Sequence, residues 1–212
     1  MPIRLNGCAV VYLLCNISIE KKVTLEDTKT KYCPSCGVKV TPFIMYVDGD
    51  EVMRCPNCGM NLHDIGEGQP LRTLEKVIIA EDSKALVNRI AQILEEHRMA
   101  EWVTKCEDGS EFLTRLTEHF QQKRAVNLVI LDVNMPIVNG VNAAIAMRAI
   151  EKGYEMNKPI PILFFTAKQC DETFKKVLGY TKPAKYINKG TGNNPDEFAD
   201  RLYKVLTQLL HR

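Results

Sequence analysis

The sequence predicts two units: a doubly wound α/β domain with a five-stranded parallel sheet, and ahead of it a small β-rich unit built around cysteines. Three observations carry this. Short apolar runs alternate with helical-period segments through the second two-thirds of the chain. Six of the eight cysteines fall before residue 60. Between the halves, Ile65-Gly66-Glu67-Gly68-Gln69-Pro70 places two glycines and a proline in six residues, the composition of a linker. The expected boundaries are 1–64 for the cysteine unit, 65–75 for the linker and 76–212 for the α/β domain. A chain of 212 residues has room for one full-sized domain and a small one.

Each element follows from local pattern. Val77-Ile78-Ile79-Ala80 suits a buried parallel strand, and Leu86, Val87, Ile90, Ile93 and Leu94 then recur at helical spacing. Trp102–Cys106 reads as the second strand, with Trp102 a structural residue of it, and Phe112, Leu113, Leu116 and Phe120 mark the second helix. Leu128-Val129-Ile130-Leu131 is the third strand and Val141–Ile150 the third helix. Ile160–Phe165 is expected as the fourth strand, entered through Pro159 and Pro161. Phe174, Val177 and Leu178 indicate a short helix, Lys185-Tyr186-Ile187 the fifth strand. Phe198, Leu202, Val205, Leu206 and Leu209 form a last amphipathic helix with Pro195 near its start.

Composition narrows the function classes. At 45% hydrophobic and 25% charged residues the chain is neither disordered, collagen-like nor a coiled coil. A net charge of +2, from 28 basic and 26 acidic residues, is too balanced to mark a nucleic-acid partner. The apolar run Cys8–Cys15 is too short to span a bilayer and has only Arg4 ahead of it, so neither a membrane span nor a signal peptide is expected. The expected location is cytoplasmic, with the cysteines as reduced thiols or metal ligands.

In an open parallel sheet, function gathers at the carboxyl ends of the strands. Here the first strand ends in Glu81-Asp82-Ser83, the third in Asp132 and the fourth in Thr166, while Lys189 follows the fifth. An isolated Asp at a strand end ordinarily caps a helix or a turn. Three carboxylates, a hydroxyl and an amine meeting on one edge are another matter. Crowded carboxylates repel, a hard divalent cation such as Mg²⁺ relieves them, and a lysine and a hydroxyl beside that ion suit a phosphoryl group.

The segments Val77-Ile-Ile-Ala-Glu81-Asp82-Ser83, Val129-Ile-Leu-Asp132-Val-Asn134-Met135-Pro136-Ile-Val-Asn-Gly140, Phe164-Phe-Thr166-Ala167-Lys168 and Tyr186-Ile-Asn-Lys189 together resemble the receiver domain of bacterial two-component response regulators, over about residues 75–212. The resemblance implies a flavodoxin-like sheet of order 2-1-3-4-5. It implies that Asp132 is the phosphoacceptor, and that Glu81, Asp82, Asp132 and the backbone carbonyl of Asn134 bind Mg²⁺. Thr166 matches the switch hydroxyl, Lys189 the lysine that pairs with the phosphoryl group, and Tyr186 the aromatic that rotates when the Thr moves. Asn134 and Lys168 hold the positions that modulate dephosphorylation. The implied donor is a phosphohistidine on a histidine kinase or phosphotransfer protein, and no Walker or kinase motif suggests that this chain uses ATP itself. One departure matters. The family usually has a cis proline after the lysine, where this chain has Gly190, in the run Lys189-Gly190-Thr191-Gly192. A non-proline cis bond costs roughly 3 kcal/mol, so a trans bond or a remodelled loop is expected, with Gly190 and Gly192 supplying flexibility.

Ahead of this domain stand Cys33-Pro34-Ser35-Cys36-Gly37 and Cys55-Pro56-Asn57-Cys58-Gly59, with eighteen residues between the pairs. Each is a knuckle whose tight turn aims two thiolates at one point. Cys33, Cys36, Cys55 and Cys58 then give tetrahedral S₄ coordination, suited to a structural Zn²⁺, and the doublet resembles a zinc ribbon. Rubredoxin-type iron and a redox dithiol are the weaker alternatives. Lys39–Arg54, alternating around Val47-Asp48-Gly49-Asp50, reads as a β-hairpin. His63 would be a surplus ligand and reads as a surface residue, while Cys8, Cys15, Cys106 and Cys170 read as small core residues.

Between Cys33 and Cys58 there are two basic and three acidic residues, and over residues 1–75 eight basic and nine acidic. A Zn(Cys)₄ centre adds about −2. Phosphate neutralisation dominates nucleic-acid affinity, so a protein output partner is expected rather than DNA. The leading expectation is a phosphorylation-controlled response regulator acting through protein contact. Its rivals are a DNA-binding transcription regulator and a phosphorylation-independent adaptor, and a homodimer through the outer face stays an open alternative. An enzyme acting on a small molecule is not expected, because no second pocket motif is visible.

Overall fold

The computed structural model describes residues 30–63, 71–190 and 195–210. Cys8, Cys15, Gly192 and most of the expected linker lie outside them.

The small unit holds two antiparallel hairpins. β1 (Lys31–Cys33) pairs with β2 (Val38–Val40), and β3 (Phe43–Val47) with β4 (Asp50–Arg54). The second hairpin turns at Asp48-Gly49, where φ is 53° and 92°, the left-handed pair that a two-residue turn requires.

The large unit runs β5 (Leu74–Ala80), α1 (Lys84–Glu96), β6 (Ala100–Cys106), α2 (Gly109–Gln121), β7 (Leu128–Asp132), α3 (Gly140–Gly153), β8 (Ile162–Thr166), α4 (Glu172–Tyr180), β9 (Ala184–Asn188) and α5 (Pro195–Leu210). The five strands are parallel in the order β6-β5-β7-β8-β9, the expected 2-1-3-4-5 arrangement. β7 and β8 are buried along their whole length, which is why they read as unbroken apolar runs. Side-chain caps set the starts of three helices: Asp108 accepts from Ser110 and Glu111 N–H, Asn139 from Asn142 N–H and Asp171 from Phe174 N–H.

Three details differ from expectation. β5 begins at Leu74, inside the expected linker, because Glu75 and Lys76 continue the ladder beside the edge strand despite their polarity. β8 begins at Ile162 rather than Ile160. Prolines on both sides withhold N–H groups from the ladder, and the Ile160 N–H goes instead to Glu151 Oε1 at 2.7 Å. Trp102 is 65% exposed on edge strand β6, so it does not pack the core. As expected, the Lys189-Gly190 bond is trans; the only cis peptide among the described residues is Lys182-Pro183, and Gly190 does not use left-handed backbone. Cys106 and Cys170 are buried, and burial pushes both thiols up to about 12. His63 is exposed.

Candidate functional site

Two clusters stand out among the described residues. The first lies at the carboxyl edge of the sheet. Glu81 follows the last residue of β5, Asp132 ends β7, and both are buried, while Asp82 is exposed. Carboxylate oxygens of all three lie within 4.8 Å of one another. Lys189 Nζ enters from the end of β9 and bridges the buried pair, 2.6 Å from Glu81 Oε2 and 3.0 Å from Asp132 Oδ1, above the Phe165 ring. Burial is the main cause that raises the Glu81 carboxyl above the usual carboxylate range; Lys189 opposes it and Asp132 adds to it. Three oxygen donors converging on one point, two of them removed from water, fit a hard divalent cation.

The backbone makes this edge tight. Thr166, buried at the end of β8, accepts at Oγ1 from Lys168 N–H (3.1 Å), and its carbonyl accepts from Lys189 N–H (2.8 Å). Lys168 itself is exposed, as is Asn134, two residues beyond Asp132. Gly140 opens α3 directly against the strand end: a Cβ there would stand 1.9 Å from the Asp132 carbonyl oxygen.

The second cluster is the four knuckle cysteines, whose sulfurs also lie within 4.8 Å of one another. Cys33 and Cys58 Sγ are 3.6 Å apart, Cys36 and Cys55 Sγ 3.7 Å. These are far from disulfide contact, and close to the edge of about 3.8 Å of a tetrahedron with Zn–S distances of about 2.3 Å. Gly37 and Gly59 close the knuckles with φ of 71° and 73°, each donating its N–H back to the first cysteine's carbonyl. A tetrahedral thiophilic ion fits this donor set.

What sequence reasoning missed is where the cysteine unit sits. It lies on the face formed by α4, β9 and α5. Tyr186, half-way along β9, is buried beneath it and donates its hydroxyl to Cys36 Sγ at 2.9 Å. Arg201 of α5, 1% exposed, donates Nε to the Pro34 carbonyl at 2.8 Å. Lys175 of α4 reaches the Pro56 carbonyl (3.1 Å) and Gln208 of α5 the Asn61 carbonyl (2.7 Å). Part of the outer face, on which a homodimer was the open alternative, is covered by the chain itself. No local motif in the sequence marks these contacts.

An all-parallel 2-1-3-4-5 sheet with acids gathered at its carboxyl edge defines a doubly wound α/β domain of the flavodoxin-like class. The chain belongs to the response regulator receiver domain family, which its residues 77–201 match. A curated relative, a protein-glutamate methylesterase/protein-glutamine glutaminase of Methanococcus maripaludis, is 31% identical over 120 residues, 56% of this chain. The match spans 29% of that relative's length. Among solved structures, the Vibrio cholerae chemotaxis protein CheY4 is 25% identical, with a TM-score of 0.50 over 65% of this chain and 100% of that one. A two-component response regulator of Cytophaga hutchinsonii (16%, TM-score 0.53, 66% and 100%) shares the fold. So does the receiver domain of the Arabidopsis thaliana histidine kinase CKI1, solved with Mg²⁺ and BeF₃⁻ (17%, TM-score 0.51, 65% and 91%). Among the described residues no helix is long and apolar enough to cross a membrane.

Proposed function

We propose that this chain is a cytoplasmic response regulator that accepts a phosphoryl group on Asp132 from a histidine kinase or phosphotransfer protein. Two units carry it: a zinc-binding ribbon up to about residue 63, and a receiver from about residue 74. The observation that carries the reading is the lysine bridge, in which Lys189 Nζ spans Glu81 and Asp132 inside a three-carboxylate cluster.

An Asp132 carboxylate oxygen attacks phosphorus and forms an acyl phosphate, while the bond from phosphorus to the donor imidazole nitrogen breaks and that nitrogen keeps the electron pair. Glu81, Asp82, Asp132 and the Asn134 carbonyl would hold Mg²⁺, which would offset charge on the transferring group. Lys189 exchanges its contact with Asp132 for one with a phosphoryl oxygen. Thr166 donates its hydroxyl to another, and Tyr186 carries the change to the α4–β9–α5 face. Asn134 and Lys168 flank the acyl phosphate and set access of water to it.

Output through protein contact is favoured by the ribbon's surface. All five residues of β3 are exposed, with Ile44 at 54% and Tyr46 at 63%. An apolar hairpin beside Asp48, Asp50 and Glu51 suits a protein partner and not a phosphate backbone. With the ribbon docked, a second copy would have to share the α4–β9–α5 face with it.

The test is intact-mass measurement after incubation with Mg²⁺ and acetyl phosphate, with zinc content read on the same sample. One phosphoryl group on the parent, none on Asp132→Asn and one zinc per chain are expected. No phosphoryl group under rapid sampling would sink the reading and leave a phosphorylation-independent adaptor.

A further inference from the structure

We infer that the first cysteine knuckle is the positioning element for Lys189, so that metal occupancy of the ribbon and phosphoryl binding at Asp132 reinforce each other. The inference rests on the proposed roles of both sites and adds a coupling between them.

β9 is an outer strand, and its backbone must find partners beyond the sheet. Ser35, inside the knuckle and 2% exposed, supplies two: its Oγ donates to the Tyr186 carbonyl, and its own carbonyl accepts from Asn188 N–H at 2.8 Å. One knuckle residue thus continues the ladder past the edge strand.

Asn188 is held from every side. Its carbonyl accepts from Arg201 Nη2 at 2.9 Å, its Nδ2 donates to the carbonyls of Ala167 (3.3 Å) and Lys168 (2.9 Å), and its Oδ1 accepts from Gly190 N–H at 2.8 Å. Arg201 joins the two parts, since its Nε takes the Pro34 carbonyl of the knuckle. Separating knuckle and strand would leave a buried guanidinium without that acceptor, a costly state.

The next residue is Lys189. Its ammonium must stand between Glu81 and Asp132, and the residue after it is Gly190, which contributes no ring and no restriction of its own. The lysine's placement therefore depends on the bonds that fix Asn188, and these include bonds to the knuckle. The knuckle's shape depends in turn on the convergence of its sulfurs. A metal-held thiolate at Cys36 is also the stronger acceptor for the Tyr186 hydroxyl. The chain of contacts runs from metal ligand to knuckle carbonyls, to Asn188 and Arg201, and to the lysine.

Coupling of this kind is reciprocal. The test uses the full chain and measures zinc affinity by competition with a chromophoric chelator, with and without Mg²⁺ and beryllofluoride as the phosphoryl stand-in. Beryllofluoride binding is read separately by ¹⁹F NMR. Beryllofluoride is expected to tighten zinc binding by about fivefold or more, and zinc removal to weaken beryllofluoride binding by the same factor. Ser35→Ala and Tyr186→Phe leave all four cysteines in place. Each is expected to keep one zinc per chain while the coupling factor moves toward one, a readout that a merely structural role would not move. Equal zinc affinity in both conditions, or weaker zinc binding with beryllofluoride, would overturn the inference. A zinc-loaded chain with no bound-fluoride signal would overturn the acceptor reading itself, and a chain that retains no zinc the metal reading; either result removes the coupling as well.

Discussion

The tightest constraint on the acidic cluster is a missing side chain. Gly140 packs on the carbonyl of Asp132, and a Cβ would fall 1.9 Å from that oxygen and 2.8 Å from its carbon. Both neighbours are backbone, so no rotamer change relieves the clash. The Gly140 N–H also donates to the Val133 carbonyl at 3.2 Å, which leaves the turn little freedom to move aside. Gly140→Ala should therefore push α3 away from the end of β7 and tilt the Asp132 carboxylate out of the cluster. The expected cost is about 1–3 kcal/mol in urea unfolding, the range for overpacking a filled site. Phosphoryl incorporation from acetyl phosphate should fall with it. A variant with unchanged stability and unchanged incorporation would show that the helix start yields freely. This residue is legible in the sequence as the end of the motif from Asp132 to Gly140, but its reason is not. Spacing shows that a glycine stands eight positions on, and only the folded backbone shows the close approach.

Among the elements, α3 carries the best-defined buried ion pair. Arg148 Nη1 meets Glu151 Oε2 at 2.6 Å, and both side chains are largely buried. Arg148 also donates to the carbonyls of Thr181 and Ile160, and Glu151 Oε1 accepts the Ile160 N–H. One turn of helix thus fastens the entry to β8 and the exit of α4. Glu151→Ala strands a buried guanidinium and a backbone N–H, and should cost about 3–5 kcal/mol in urea unfolding. A double-mutant cycle with Arg148→Ala should show strong coupling between the pair, and additive losses would mean that the two act separately. The elements themselves were largely legible, because buried strands such as β7 are apolar throughout and the helices keep a clear apolar stripe. Errors fell where polar or constrained residues hide a ladder. Glu75 and Lys76 disguise the start of β5, and Pro159 and Pro161 delay β8, whose approach the Arg148–Glu151 pair then has to satisfy.

At the scale of the whole molecule, the two units share one interface, and this was the least legible part. The acids and the cysteines announce themselves by local motifs. The contacts between the units pair residues more than a hundred positions apart, as Ser35 with Tyr186 and Pro34 with Arg201, and no periodicity encodes such a pair. Their physical logic is still plain: an edge strand needs a cover, a buried arginine needs acceptors, and the knuckle carbonyls supply both needs. Stability should therefore be layered. The sheet centre, β5 and β7, is flanked by strands on both sides, whereas the edge strand β9 meets the knuckle. The Asn188 amide, by contrast, is protected by the Ser35 carbonyl alone. In hydrogen exchange on the full chain, removing zinc with a chelator and then restoring Mg²⁺ should release the amides of the knuckles and of Asn188 toward free exchange. Amides of Val129, Ile130 and Leu131 should keep their protection, because their opening requires loss of the whole sheet. Fast exchange confined to the ribbon and the end of β9 would mark the ribbon as a separate cooperative unit seated on the receiver. Equal acceleration in β7 would mean that the metal holds both units in a single unfolding step, and the layered picture would fail.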